Sequence, residues 1–425
     1  MESTTPVPAD PTRGRWTIAI AGVLVQLALG AVYAWSVFNK PLQAEFGWSK
    51  SQVVLPFEVA VGMIFVGSLL GGKLQDRLGP RPVAVAGVVL YSAGIMLASV
   101  VHHGDQLWLL VLTYGVVGGI GLGLAYITPI AMLVKWFPDR RGLITGIAVG
   151  GFGFGAVITG PVAKSLLSHA SNKPSVFLPL GAAYLVAGLV GASLFRNPPP
   201  GYAVPGYTPT VATGAGHTLG EALRTPQWYL LTLILFLNTM CGIAFISQAS
   251  DAAEEIARVG ATTAASFVGI MGLFNGAGRI AWAALSDQIG RMPAFLGMLG
   301  LQGICFLLLP HVGTFAVFAI LGALVYLAYG GGFGTMPATA ADYFGTPNAG
   351  AIYGAMLVAW SAGGVVGPLV VARLYETSGG YGVPFTVLGI VALVALALPL
   401  LARRPAPAGD RTIDLTEADV SVRRP

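Results

Sequence analysis

Charge is the scarcest property of this sequence. Asp, Glu, Lys and Arg make up 10% of its 425 residues, against about 25% in ordinary soluble domains. So few charges cannot clothe the three soluble domains that roughly 150 residues per domain would suggest. Cysteine is nearly missing. Cys241 and Cys305 both fall in apolar runs and read as small core residues rather than a disulfide. The five histidines have no metal-ligand context: His102, His103, His169 and His311 fall in expected external loops and His217 in an expected linker. No nucleophile–base pair, metal cluster or phosphate-cradling loop is found. An enzyme and a nucleotide-driven pump are therefore disfavoured, and neither cofactor nor metal is expected. No cleavable signal peptide is recognised, since residues 1–15 are polar and Pro-rich and the apolar run after them is long enough to span.

Apolar residues are what the chain has. They account for 55% of it, with 59 glycines and a mean hydropathy of +0.75. That is the composition of an all-α protein crossing a membrane many times, with glycines where helices pack closely. At about 20 apolar residues per span, the runs are 16–38, 52–72, 82–101, 106–134, 142–167, 176–195, 226–249, 264–284, 293–310, 313–341, 349–372 and 383–402. The longest break begins RNPPPGYAVPGYTPT and reads as a linker. The expected organisation is a cytoplasmic tail at 1–15, a six-helix bundle at 16–195, a cytoplasmic linker at 196–225, a second bundle at 226–402 and a cytoplasmic tail at 403–425. With both termini inside, only Lys40, Lys50, Lys164, Lys173, Arg258 and Arg373 fall outside, and all other Lys and Arg except Arg279 fall inside. The positive-inside rule thus puts both termini in the cytoplasm of a cell with this protein in its inner membrane. The net charge of +5 reflects that bias and not a nucleic-acid partner.

The two halves repeat. DRLGPRP at 76–82 is echoed by DQIGRMP at 287–293, Gly160-Pro161 by Gly367-Pro368, and Trp136-Phe137 by Tyr343-Phe344, all at nearly one offset. Trp16 and Trp228 open the first and seventh spans. Two parallel six-helix repeats around a central cavity follow. GKLQDRLGPR at 72–81 also resembles the loop motif of the major facilitator superfamily, and the resemblance covers about 16 to 402. It implies twelve transmembrane helices in two pseudo-repeats around a central cavity. It further implies that Asp76, Arg77 and Arg81, with the degenerate copy Asp287 and Arg291, lock the cytoplasmic side. The alternative is that these charges only set topology.

LFNGAGRIAW at 273–282 raises a sharper question, because Arg279 is the only charge between Val259 and Ser286. An Arg at a helix centre costs at least ~2.5 kcal/mol on insertion scales. Three readings compete. It snorkels to the near interface, pairs with an intramembrane acid such as Glu58, or faces the cavity and binds an anion. Gly272, Gly276 and Arg279 share one helical face, with Asn275 on its flank. A face of Gly, Asn and Arg does not suit lipid, and the guanidinium fork suits a carboxylate, so the third reading leads.

LFNGAGRIAWAALSDQIGR resembles span eight of the oxalate/formate antiporter and bacterial monocarboxylate transporter branch. GAVYAWSVF, WFPDRRGLITG, EALRTPQW and IYGAMLVAW agree with it. The resemblance implies that Arg279 holds the substrate carboxylate and that Tyr33, Tyr126 and Tyr329 line the cavity, with Tyr326 nearby. Ordinary packing is the competing reading for each tyrosine, and for Trp35. Phe152 and Phe333 fall where the oxalate carrier has hydroxylated aromatics. Trp360 falls where that carrier has a second cation, a Lys. Two carboxylates need two countercharges to be desolvated cheaply, so Trp360 argues for a monocarboxylate. In animal monocarboxylate carriers an Asp four residues before the Arg takes the proton, and here Asn275 cannot titrate. Glu58 is then the proton-coupling candidate: a desolvated Glu has a raised pKa, though it could equally be a neutral residue near the outer interface. Gln26, Asn238 and Gln248 either line the path or bond between helices.

The expected function is a monomeric secondary transporter working by alternating access. It would move a small monocarboxylate such as lactate, pyruvate or formate, coupled to protons. The alternative is an oxalate/formate-type exchanger. A drug exporter has no use for Arg279, and a non-transporting sensor of the same fold would need a signalling domain.

Overall fold

A computed structural model describes residues 14–207 and 216–405. The expected tails at 1–13 and 406–425, with Arg13, Arg411, Arg423 and Arg424, and residues 208–215 of the expected linker lie outside the described residues. Among the described residues the regular structure is all-helical, with twelve helices long and apolar enough to cross a membrane. Spans one to six are Arg15–Phe46, Ser51–Leu78, Pro80–Val100, Gly104–Trp136, Arg141–His169 and Lys173–Ser193. Spans seven to twelve are Pro226–Ile256, Thr262–Ile289, Arg291–His311, Phe315–Phe344, Ala349–Ser378 and Gly382–Leu401. Several run past the apolar stretch that marks them. The added turns carry charged and polar residues, which hydropathy does not see.

That overrun relocates one motif. Asp76, Arg77 and Leu78 of DRLGPR, expected as a loop, lie on the closing turn of span two, and Pro80 and Arg81 open span three. Only Gly79 separates that helix from the next, and Gly290 does the same between spans eight and nine. Both glycines have φ near +90° with extended ψ (85°, 170° and 94°, 158°). That region is open essentially to glycine alone.

Among the described residues, regularity breaks within span twelve between Val394 and Ala397 and within spans one, four and eleven. Span one tightens into a 3-10 segment at Gly30–Trp35. There the Tyr91 hydroxyl donates to the Leu29 carbonyl at 3.3 Å. Span four holds a π-helical stretch at Val111–Gly118. Span eleven breaks after Met356 and resumes at Val358. Non-helical backbone at membrane depth is tolerated where protein or a cavity surrounds it, and two of these breaks turn out to flank the candidate site.

The halves meet along bare backbone. On span five, Gly142, Gly146, Gly150 and Gly153 form one stripe. A Cβ on Gly146 would stand 2.5 Å from the Arg279 carbonyl oxygen of span eight, and one on Gly153 would stand 3.0 Å from Gly276 Cα. A Cβ on Gly72 of span two would collide with the Gly350 carbonyl of span eleven. These approaches run from the terminus-bearing face to mid-depth. Beyond it, Gly269 and Gly272 of span eight meet nothing within 4 Å, so the spans part toward the opposite face. Gly146→Val is expected to lower the apparent melting temperature in detergent, since overpacking a fitted contact costs about 1–3 kcal/mol. An unchanged melting curve would mean that the close approach does not bear on stability.

Candidate functional site

Arg279 sits at the middle of the half-to-half contact. Its backbone carbonyl lies between Gly146 of span five and Gly334 of span ten, where neither glycine leaves room for a side chain. The run YGGGFG at 329–334 is what lets span ten approach so closely. A Cβ on Gly278 would strike the Leu327 carbonyl, and one on Gly330 the Asn275 carbonyl. The Arg279 side chain is fully buried. Its Nε donates to Asn275 Oδ1 at 3.2 Å, one terminal nitrogen to the Val149 carbonyl at 3.2 Å, and the other to the Tyr33 hydroxyl at 3.4 Å.

These bonds bear on two of the three readings of the side chain's placement. Arg279 does not snorkel, and among the described residues it forms no ion pair; Glu58 is not its partner. A guanidinium has five N–H donors. Three are used, which leaves one on each terminal nitrogen. A buried cation without a counter-ion costs several kcal/mol, and a carboxylate ligand would both neutralise it and fill those donors.

An aromatic cage surrounds the guanidinium. Its carbon lies 5.7 Å from the Phe152 ring centroid and 5.2 Å from that of Phe333. Those rings come from opposite halves and their faces attract the charge. Trp360, just past the break in span eleven, packs on Phe333, Tyr126 and Phe152 at 5.1, 5.7 and 5.9 Å. Tyr33, on the 3-10 segment of span one, packs on Phe152 at 5.1 Å, and Tyr329 packs on Phe333 at 5.3 Å. Tyr329 has room because Gly242 of span seven lies beneath its ring. Tyr33, Tyr126 and Tyr329 are the polar neighbours of the buried charge.

Three carboxylates tie the halves together at the terminus-bearing face. Asp287 accepts the N–H groups of Gly142 and Leu143, at 2.9 and 2.8 Å, at the start of span five. Asp76 accepts the Ala351 N–H at 2.9 Å at the start of span eleven. A helix start offers unbonded N–H groups and the positive end of the helix dipole. The surrounding charges differ between the two copies. Arg291 bridges Asp287 and Asp342, and Asp342 also holds Arg141, at 2.7, 2.8 and 2.8 Å. Lys135 stands 3.6 Å from Asp76.

Several expected residues lie elsewhere. Tyr326 packs edge-to-face on Phe245 at 6.0 Å, inside the second half's own core. It is one turn away from Tyr329 and belongs to a different cluster. Arg77 and Arg81 are exposed and form no ion pair among the described residues. Glu58 is exposed on the protein surface. It shares a stripe of span two with Gly62, Gly72 and Asp76, the side from which Ser361 of span eleven reaches the Val61 carbonyl at 3.1 Å, so it borders the parting between the halves. Gln26 and Asn238 bond to the carbonyls of Tyr126 and Ala328, each at 3.2 Å. Gln248 accepts the Tyr381 hydroxyl at 3.0 Å, and the Trp35 indole donates to the Val53 carbonyl at 3.0 Å. These four act between helices. Asp342, Arg141, Lys135 and Tyr353 were missed. Lys135 and Asp342 precede the Trp-Phe and Tyr-Phe repeat markers directly, which was the available signal for both.

Comparison with known proteins agrees with this architecture. The family model described as Major Facilitator Superfamily matches residues 18–368 and 256–424. The chain belongs to the major facilitator superfamily. Among relatives of this superfamily transporter, the oxalate:formate antiporter of Oxalobacter formigenes is 27% identical over 90% of this chain and 90% of its own length. Monocarboxylate transporter 3 of Rattus norvegicus is 28% identical, covering 91% of this chain and 80% of its own. The E. coli fucose:proton symporter FucP has the same fold, with a TM-score of 0.72 at 15% identity, over 92% of this chain and all of its own.

Proposed function

We propose that this superfamily transporter carries small monocarboxylates across the inner membrane by alternating access, driven by protons, with both termini in the cytoplasm. The observation that carries the reading is the buried, uncompensated Arg279 with one open N–H on each terminal nitrogen. Those two donors offer a two-point grip on a carboxylate. The aromatic cage would then enclose a short apolar remainder. Trp360 fills the place of a second cation, which favours a single negative charge over a dianion. The printed names of the two relatives, an oxalate:formate antiporter and a monocarboxylate transporter, support a carboxylate cargo. Asp76 and Asp287 would hold the cytoplasmic side shut while the site faces out, and Arg291 would orient Asp287.

Uptake of labelled lactate into proteoliposomes tests the reading. Accumulation that requires an acid-outside gradient is expected. Oxalate/formate exchange with no lactate uptake would overturn it.

Glu58 is the proton carrier in this proposal. It borders the parting between the halves, where it would exchange protons from outside while the cytoplasmic side is shut. Glu58→Gln is therefore expected to abolish gradient-driven accumulation while lactate:lactate exchange continues within about two-fold of wild type. Undiminished accumulation in this variant would remove Glu58 from the cycle.

A further inference from the structure

The cage contains two hydroxyls that the carboxylate contact does not use. Tyr126 comes from span four in the first half and Tyr353 from span eleven in the second. Both side chains are buried, at 0% and 1% exposure. Their hydroxyls lie near each other across the half boundary, and among the described residues neither has a partner at hydrogen-bond geometry. Both feel the charge of Arg279, and the Tyr126 ring touches two cage rings, Phe152 and Trp360.

A buried hydroxyl without a partner costs about 1–3 kcal/mol. Two of them side by side, beside an unfilled cationic fork, make a place that is incomplete until something polar arrives. The Tyr33 hydroxyl already accepts from Arg279, and the cage walls Phe152, Phe333 and Trp360 offer no oxygen acceptor or O–H donor.

We infer that Tyr353, together with Tyr126, forms a subsite for an oxygen on the carbon next to the substrate carboxylate, making Tyr353 a specificity-determining residue for 2-hydroxy and 2-oxo monocarboxylates over plain alkanoates. The inference rests on the monocarboxylate reading of Arg279. With the carboxylate on the Arg279 fork, the C2 oxygen accepts a hydrogen bond from one hydroxyl. A 2-hydroxyl also donates to the other. Propionate has no oxygen at C2 and leaves both tyrosines unpaired, and sites built to bond a substrate oxygen reject analogues that lack it. Because the two hydroxyls belong to different halves, a substrate with a C2 oxygen also ties the halves together as the site closes.

Proteoliposome uptake of labelled lactate, with unlabelled lactate or propionate as competitor, tests this in wild type, Tyr353→Phe and Arg279→Gln. Wild type is expected to favour lactate at least ten-fold. Tyr353→Phe should raise the lactate KM about ten-fold and leave competition by propionate within two-fold, which also reports that the variant is folded. Arg279→Gln should lose both. Equal loss of lactate and propionate in Tyr353→Phe, or unchanged selectivity, overturns the subsite and leaves the monocarboxylate reading standing. A wild-type protein that takes up neither acid overturns that reading, and the subsite with it.

Discussion

Arg279→Met is expected to cut carboxylate transport at least a hundred-fold and, at the same time, to raise the thermal stability of the protein. The two effects come from one fact. The guanidinium is buried, and among the described residues it has no carboxylate partner. Replacing buried charge with a hydrophobe of similar volume is often neutral or stabilising by about 1–4 kcal/mol. The residue binding the anion would therefore be one that the empty protein is better folded without. Arg279→Lys keeps a charge but loses the planar fork, and a loss of ten-fold or more is expected. The checks are uptake rate per inserted protein and melting temperature with and without lactate. Ligand that binds only the folded protein raises that temperature, and the increment should vanish in Arg279→Met. A marked fall in stability of the empty variant would instead make Arg279 a structural group and sink the binding role.

Asp287→Ala and Asp76→Ala are each expected to slow transport about ten-fold, and the double variant further, by releasing the terminus-bearing face. Each carboxylate holds the first N–H groups of a helix in the other half. An acid so placed, and partly buried, stabilises by up to ~2 kcal/mol. That is enough to shift a two-state balance by more than ten-fold. Thiol labelling at Thr145→Cys reads the shift directly. Thr145 is buried against span ten, its hydroxyl 2.7 Å from the Gly334 carbonyl, and the native Cys241 and Cys305 are buried and give little background. Labelling should accelerate in both aspartate variants, more in Asp287→Ala, where Arg291 and Arg141 also lose their shared network. Labelling that stays at the wild-type rate in the double variant would leave the aspartates without a gating role.

Much of the fold was legible in the sequence for a plain reason. Membrane helices are written as long apolar runs, and the halves as repeated punctuation. The ends of the helices were less legible, because closing turns carry charge. This is why DRL read as a loop and lies on a helix. Arg279 stood out as a lone charge, and Asn275 beside it as a polar neighbour at helical spacing. Tyr326 and Tyr329 were indistinguishable in sequence, since both lie on one face of one helix. Only the tertiary arrangement sends one ring to Phe245 and the other to Phe333. Tyr353 gave no signal, because an aromatic in an apolar span reads as packing until the bonds around its hydroxyl can be counted.

The joint between the halves has an uneven surface chemistry. Where spans two and five cross spans eleven and eight, glycine meets carbonyl, with few side chains interlocked across the seam. Such a seam is smooth. It has little to unthread when it opens, and parting it breaks a few hydrogen bonds, such as those of Thr145 and Ser361, besides weak dispersion contacts. What resists opening is gathered at two points, like detents on a sliding door, at Asp76 and Asp287. Shape and grip are thus assigned to different residues. The glycines determine how closely the door fits its frame, and the aspartates determine how hard it must be pushed, so the speed of the cycle can be retuned at a few charges without re-cutting the seam.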